Sequence, residues 1–321
     1  MKSKNFTILK TAVGCLSAAG FIKELKKRNV KVVGVDCDPF SAGFFLCDKS
    51  YVVPRGNDPL FIEKIIEICD REKPDAIFSG PEEEILALSK HKEEFTKRGI
   101  FLFCPDYEVA MVCFDKIKTY KVFKKYNIPV PRLYRNFNEV KFPCIVKPRF
   151  GRGSRDVFKV RHRDELDFYL RDVESPLIQE FIDGVEYTVD VFADLEGNPL
   201  SIVPRVRLKI ESGISVKAVT VYNERVIEYC RRIINGLKLT GPSCIQCIEG
   251  KDGPKFIEIN PRFGGGSVLS LKADPGIVEN IIKIIRKEKP HSLGSFKKGL
   301  MMLRYYNEIF RELKEYKSFI F

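Results

Sequence analysis

Between residues 6 and 104, short apolar runs alternate with stretches of helical period: FTILK, AAGFIKELKKRN, VKVVGVD, PLFIEKIIEICDREK, DAIFSG, EEEILALSKHKEEFTKRG and IFLFC. Strands this short and apolar are buried on both faces. Each is followed by a helix long enough to return the chain, which is the βαβ pattern of a parallel, helix-flanked sheet. The first hundred residues are therefore expected to be α/β. Asp36 and the turn GPEEE at 80–84 fall at strand ends where open sheets of this kind present ligand groups. Gly14 and Gly20 do not complete G-x-G-x-x-G, so the unit reads as Rossmann-like in shape and substrate-side or scaffolding in role, not as a dinucleotide domain.

The alternation stops after Pro105. Within the segment 115–131 a helix ends before two prolines, and strand FPCIVKP (142–148), turn RFGRGSRD (149–156), strand VFKV, a charged helix at about 163–172 and strand PLIQEFI (176–182) follow. Beyond them lie EYTVDVFAD, LSIVPRVRLK, VKAVTVY, the helix ERVIEYCRRIINGLKL, SCIQCIE and PKFIEIN, separated by turns such as GKDG. Turn-separated strands with few helices predict antiparallel hairpins, hence an α+β second half.

No apolar run approaches the ~20 residues that span a bilayer, and MKSKNFTILK has no apolar segment or cleavage site behind its lysines. A cytoplasmic protein with no membrane partner is the expectation. The ten cysteines are scattered through apolar runs and read as reduced, buried packing residues. Cys244 and Cys247 sit three apart on a strand, on opposite faces, and cannot easily close on one metal. A net charge of +12 attracts phosphorylated ligands and polyanions without specifying nucleic acid. The group Arg149, Arg152, Arg155, Arg161 and Arg163 has only Phe150 and Phe158 among it, fewer aromatics than single-strand binding calls for.

Chemistry collects elsewhere. FIEINPRFGGG at 256–266 carries Glu258, Asn260 and Arg262 on alternate strand positions, so two oxygen ligands and a cation share one face while Phe256, Ile257 and Ile259 supply apolar packing. Hard oxygen donors beside a cation suit Mg2+ shared with a phosphate. Lys147 precedes a turn with Gly151, Gly153 and Ser154, whose N–H groups could approach an anion. Glu180 and Glu186 flank a strand edge where backbone could meet a purine and a carboxylate a ribose. Gln246, on a neighbouring strand, could face the same cavity as Glu258 and Asn260.

In this order the motifs DK (115–116), CIVKPRFGRGS, QEFIDGVEYTVDV, SCIQ and FIEINPRFGGGS resemble those of ATP-grasp enzymes, most nearly the carbamoyl-phosphate-synthase-like single-chain members. The resemblance implies an ATP-grasp fold with a Rossmann-like pre-ATP-grasp domain over 1–110, an N-terminal subdomain over 111–182 and a C-terminal subdomain over 183–321. It implies that Lys116 and Lys147 contact ATP phosphates under the 151–154 loop and that Glu180, Phe181 and Ile182 border adenine. It further implies that Glu186 takes the ribose, that Gln246, Glu258 and Asn260 hold Mg2+ or Mn2+, and that Arg262 lies by the transferred phosphoryl group. The implied activity is ATP-dependent joining of a small carboxylate to an amine through an acyl phosphate. Gln246 stands where a carboxylate is usual, and Asp156 where another glycine would be less surprising. The absence of a glutaminase or second synthetase half argues against carbamoyl phosphate as product. A carbamate or carboxyphosphate kinase and a noncatalytic nucleotide- or nucleic-acid-binding protein are the alternatives. Arg205 and Arg207 share a strand face and, with Lys217 and Arg262, either clamp an anionic substrate or are exposed strand residues. A homodimer is the default assembly.

Overall fold

The computed structural model describes residues 6–151, 153, 155–211, 213–305 and 307–312, which form three sheets. The first is parallel, from β1 (Thr7–Thr11), β2 (Lys31–Asp36), β3 (Lys49–Val52), β4 (Ala76–Phe78) and β5 (Phe101–Leu102), in the order β3-β2-β1-β4-β5. The chain winds from β1 to one side and then crosses to β4 on the other, so the carboxyl ends of β1 and β4 part to leave a crevice. Helices α1 (Leu16–Lys26), α2 (Phe61–Glu72), α3 (Glu82–Lys90) and α4 (Lys92–Lys97) flank it. One helix was expected over the last two; His91, at φ −105° and ψ 21°, breaks it.

After α5 (Tyr107–Phe114) and α6 (Lys116–Lys125) comes an antiparallel sheet of β6 (Leu133–Tyr134), β7 (Cys144–Pro148), β8 (Phe158–Val160) and β9 (Pro176–Glu180), in the order β6-β9-β7-β8. Cys144 and Val146 of β7 pack against Leu166 of α7 (Arg163–Asp172), leaving Ile145 and Lys147 to the opposite face. The third sheet is also antiparallel, with β10 (Val185–Ala193), β11 (Pro199–Glu211), β12 (Ile214–Thr220), β13 (Gly241–Gly250), β14 (Gly253–Asn260) and β15 (Met301–Leu303) in the order β14-β13-β10-β11-β12-β15. Helix α8 (Glu224–Leu237), capped by the Asn223 side chain on the Val226 N–H, covers one face.

Two packings cross the expected boundaries. Tyr120 and Phe123 of α6 join Val226, Ile233 and Phe256 in the core of the third sheet, not the second. Helices α9 (Ser267–Ala273) and α10 (Gly276–Ile285), which follow β14 in the chain, return to the first sheet, where Leu271, Ile277, Val278 and Ile281 pack with Ile8, Phe21 and Phe78. Each such side chain contributes roughly 1.5–3 kcal/mol by leaving water. Cys15 and Cys37 are exposed, against the expectation of buried cysteines, because they sit in the turns after β1 and β2. No helix among the described residues is long and apolar enough to cross a membrane.

Candidate active site

A cavity of about 180 Å³ lies between the second and third sheets. Its floor is Ile145, Lys147 and Gln179, and its roof is Gln246, Ile248, Ile257 and Glu258. Lys147 is 5% exposed and donates to the Tyr120 hydroxyl at 3.2 Å, which in turn donates to Gln179 Oε1 at 2.7 Å. Burial pushes the Lys147 ammonium down to about 7; Glu258 opposes that shift and Lys116 adds to it. Lys116 opens α6, and its Nζ donates to the Gly151 carbonyl at 3.1 Å. Asp115 caps the same helix by accepting from the N–H groups of Ile117 and Lys118. Its second role is to hold Arg149, with contacts of 2.9 and 2.5 Å that keep the Asp115 carboxyl below the usual carboxylate range. Arg149 thus anchors the glycine-bearing turn to α6.

Gln246 and Glu258 are direct cross-strand partners on β13 and β14, and Cys244 pairs with Asn260. The strand reading of Glu258, Asn260 and Arg262 as one face holds in space: Asn260 Nδ2 donates to Glu258 Oε1 at 2.9 Å, and Arg262 Nη2 to Asn260 Oδ1 at 3.3 Å. Ile257 does not join the apolar core as expected. The register shifts there, with Gln246 opposite Glu258 and Cys247 opposite Phe256, so Ile257 is an extra residue that turns into the cavity. Phe256 and Ile259 stay in the core.

Past Glu258 the space widens into a second cavity of about 420 Å³. Gln246, Glu258 and Arg155 line both. One wall is Thr188, Arg205 and Arg207 on the third sheet; the other is Cys15–Ser17 and Gly80–Pro81, at the crevice of the first sheet. Of these first-sheet turns, GPEEE at 80–84 is the one expected to present ligand groups, and its Gly80 and Pro81 reach the cavity. Asp36, read as a ligand-presenting position, instead accepts from the N–H groups of Gly14 and Asp38 and holds the turn after β1. Glu84 is buried against Thr11 Oγ1, and burial pushes its carboxyl up to about 7.

Arg205 lines the second cavity but is 3% exposed and committed: its Nε donates to Asp190 Oδ2 at 2.8 Å. Asp190 also accepts from Ser267 Oγ at 2.7 Å, Ser270 Oγ at 2.6 Å and Cys244 Sγ at 2.8 Å. Burial would raise the Asp190 carboxyl, but Arg205 and these donors outweigh it and the group lies low. A Cβ on Gly266 would sit 2.6 Å from the Arg205 guanidinium, and one on Gly264 would sit 2.5 Å from Cys244 Sγ, so both glycines are required by close packing around this pair. Lys217 does not belong to the site. Ala218 pairs with Arg207 on the cavity face, which turns Lys217 outward, where it is exposed opposite Lys209.

Glu180 sends its side chain away from the cavity, to Lys255 Nζ at 2.5 Å and the Arg132 N–H at 3.0 Å, and its own N–H donates to the Arg132 carbonyl at 2.9 Å. Residues 181–184 connect β9 to β10 outside either strand, and Phe181 lies under Lys159 Nζ at 3.6 Å from its ring centre. Glu186 Oε1 accepts from Arg207 Nη1 at 2.6 Å and Gln246 Nε2 at 2.9 Å. Gly151 and Gly153 are at φ 131° and 69°, in the region glycine favours, and Gly151 lines the smaller cavity. Ser154 and Arg152 lie outside the described residues. As a metal site, Glu258 with the amide oxygens of Gln246 and Asn260 is an all-oxygen set with a single carboxylate, which fits Mg2+ sharing its shell with phosphates and does not fit zinc.

Comparison with known proteins agrees with this architecture. Residues 113–266 match the ATP-grasp domain family, and residues 12–103 match the family described as PylC-like, N-terminal domain. The carbamoyl phosphate synthase large chain of Clostridium acetobutylicum is 24% identical over 310 residues, 87% of this chain and 28% of that protein. The chain therefore spans about a quarter of the length of the curated relatives it matches. The biotin carboxylase domain of Hydrogenobacter thermophilus 2-oxoglutarate carboxylase, solved as a dimer with MgADP and bicarbonate, superposes with a TM-score of 0.73 at 16% identity, covering 93% of this chain and 74% of that one. N5-carboxyaminoimidazole ribonucleotide synthetase of Thermotoga maritima gives a TM-score of 0.66 at 21% identity over 90% of this chain and 78% of its own. At these identities the structural likeness is one of fold. The cleft between the two antiparallel sheets thus lies within the part of the chain, residues 113–266, that matches the ATP-grasp domain family, and β2 to β5 of the parallel sheet, with its crevice, lie in the part, residues 12–103, that matches the PylC-like N-terminal domain ahead of it.

Proposed function

We propose that the chain is an ATP- and Mg2+-dependent ligase that joins a small carboxylate to an amine. The observation that carries this is the meeting of two cavities at Glu258: a narrow one with two buried lysines, and a wide one edged by Arg262. In this reading the narrow cavity takes the nucleotide. Ile145, Ile248 and Ile257 pack the adenine, the backbone at Glu180–Ile182 pairs with its edge, Glu186 takes the ribose, and Lys116 and Lys147 neutralise phosphates beneath Gly151 and Gly153. Gln246, Glu258 and Asn260 hold Mg2+, which when bound polarises the phosphoryl oxygens. The substrate carboxylate lies in the wide cavity, and one of its oxygens attacks the γ-phosphorus as the bond to ADP breaks. The amine nitrogen then attacks the acyl carbon, phosphate departs and the amine proton is released. Arg262 sits where charge develops on the transferred group, and positioning with electrostatics supplies most of the acceleration.

The width of the second cavity favours an acid larger than bicarbonate, which puts a carbamate or carboxyphosphate kinase second. A nucleic-acid role has less support, because Arg149 is tied to Asp115 and Arg163 to the Phe137 carbonyl and Asp167. We further propose a homodimer, after the dimeric biotin carboxylase domain; sedimentation at two protein concentrations tests it. The central test is calorimetry of ATP with and without Mg2+. Parent binding should require Mg2+, and Glu258→Ala should remove that requirement with the binding gain it brings. A folded parent that ignores ATP would end the reading.

A further inference from the structure

Arg207 lies on β11 between the two cavities, with a side chain 6% exposed. One terminal nitrogen donates to Glu186 of the narrow cavity at 2.6 Å. The other donates at 2.7 Å to the carbonyl of Gly213, in the turn that joins β11 to β12. Its Nε is buried with no hydrogen-bond partner among the described residues. Gly213, at φ 76°, is in backbone contact with the glycine-bearing turn of the second sheet: a Cβ on it would stand 2.4 Å from the Gly153 carbonyl oxygen. The β12 side of this hairpin tip is held by Ile214 against Gly265 and by Ser215, which accepts from Arg205 Nη1 at 3.1 Å, whereas the β11 side is exposed at Leu208 and Ile210, so on that side Arg207 and the Gly153 contact seat the tip over the wide cavity.

We propose that Arg207 is a positioning residue that couples nucleotide occupancy to seating of the hairpin tip over the acid-binding cavity. The proposal rests on the ATP-dependent reading above. A guanidinium is a rigid planar fork, so the positions of its two terminal donors are not independent. A nucleotide filling the narrow cavity borders Glu186 at one end of this bridge and the Gly151–Gly153 turn at the other. It fixes both supports of the β11 side at once. The Arg207 Nε is buried and without a partner among the described residues, and a buried donor left unpaired is the kind of group whose surroundings a rearrangement of the tip would change. The functional gain is exclusion of water from the wide cavity while a hydrolysable acyl phosphate is present.

The test is amide hydrogen exchange at the tip, read on a peptide carrying Gly213, with and without saturating MgADP whose binding is verified by calorimetry on the same samples. In the parent, MgADP should slow tip exchange roughly tenfold, the size of a typical coupling between sites. In Arg207→Met the protection ratio should fall to near one. A purely structural arginine would speed exchange equally in both states and leave the ratio unchanged. If Arg207→Met does not fold, Arg207→Lys serves the same purpose, since a single ammonium does not reproduce the two-pronged bridge. An unchanged ratio in a folded variant, or a parent tip indifferent to bound MgADP, overturns the coupling alone. A parent that binds no MgADP overturns the nucleotide reading and the coupling with it.

Discussion

Lys147 is the residue whose chemistry departs furthest from its sequence context. In CIVKP it looks like a lysine at the end of an apolar strand; in the fold it is a cation with almost no water. Its depressed pKa has a definite sign for stability. Below pH 7 the ammonium is charged folded and unfolded, and the burial penalty is fully present. That penalty is relieved as the pH rises from about 7 toward the ordinary 10.5. A polyphosphate in the narrow cavity restores the charge, so MgATP binding at pH 8 should take up about one proton, seen as heats that differ between buffers of unequal ionisation enthalpy. Lys147→Met should abolish the difference. A parent heat that is the same in both buffers would count against phosphate contact by Lys147. Arg205 gives the opposite lesson. Its alternation with Arg207 placed it on the cavity face, but its partner Asp190 is fifteen residues away on β10, and no local pattern reveals that the pair is closed.

At the scale of elements, alternation in β14 was enough to place Glu258 and Asn260 together, because the side-chain period of a strand is two; Arg262 lies just past the strand's end, in a bend where its N–H donates to the Asn260 carbonyl at 2.8 Å, and it joins them by donating to Asn260 Oδ1. Alternation failed one residue before Glu258. A bulge depends on the partner strand, and the partner of Ile257 is set by how β13 registers, so the turn of Ile257 into the cavity was not legible. Ile257→Ala should weaken nucleotide binding roughly tenfold through lost apolar contact while leaving the Mg2+ requirement intact. Equal affinities in the two proteins would remove Ile257 from the site. The break at His91 was hidden for a similar reason: both halves keep a helical period, and only packing of Leu88 and Phe95 into one core decides the bend.

For the whole molecule, the change of pattern after Pro105 marks where the parallel sheet ends and the two antiparallel sheets begin. What the pattern does not carry is which sheet a late helix covers. Because α10 packs on the first sheet, a fragment of residues 1–110 lacks Ile277, Val278 and Ile281 from its core. Such a fragment should show helical far-ultraviolet dichroism with non-cooperative melting and dye binding at exposed apolar surface. A sharp melt would mean that the parallel sheet needs no cover from α10.

The return of α9 and α10 to the first sheet also has a consequence for synthesis. The ribosome delivers β1 to β5 before the antiparallel sheets, yet on one apolar face of that sheet α1 has only part of its packing until residues 276–285 have emerged. The parallel sheet is thus made before the antiparallel ones and completed only after β14, and a nascent chain stalled within residues 113–266 leaves Phe21 and Phe78 short of their packing partners and open to whatever chaperones attend the exit tunnel.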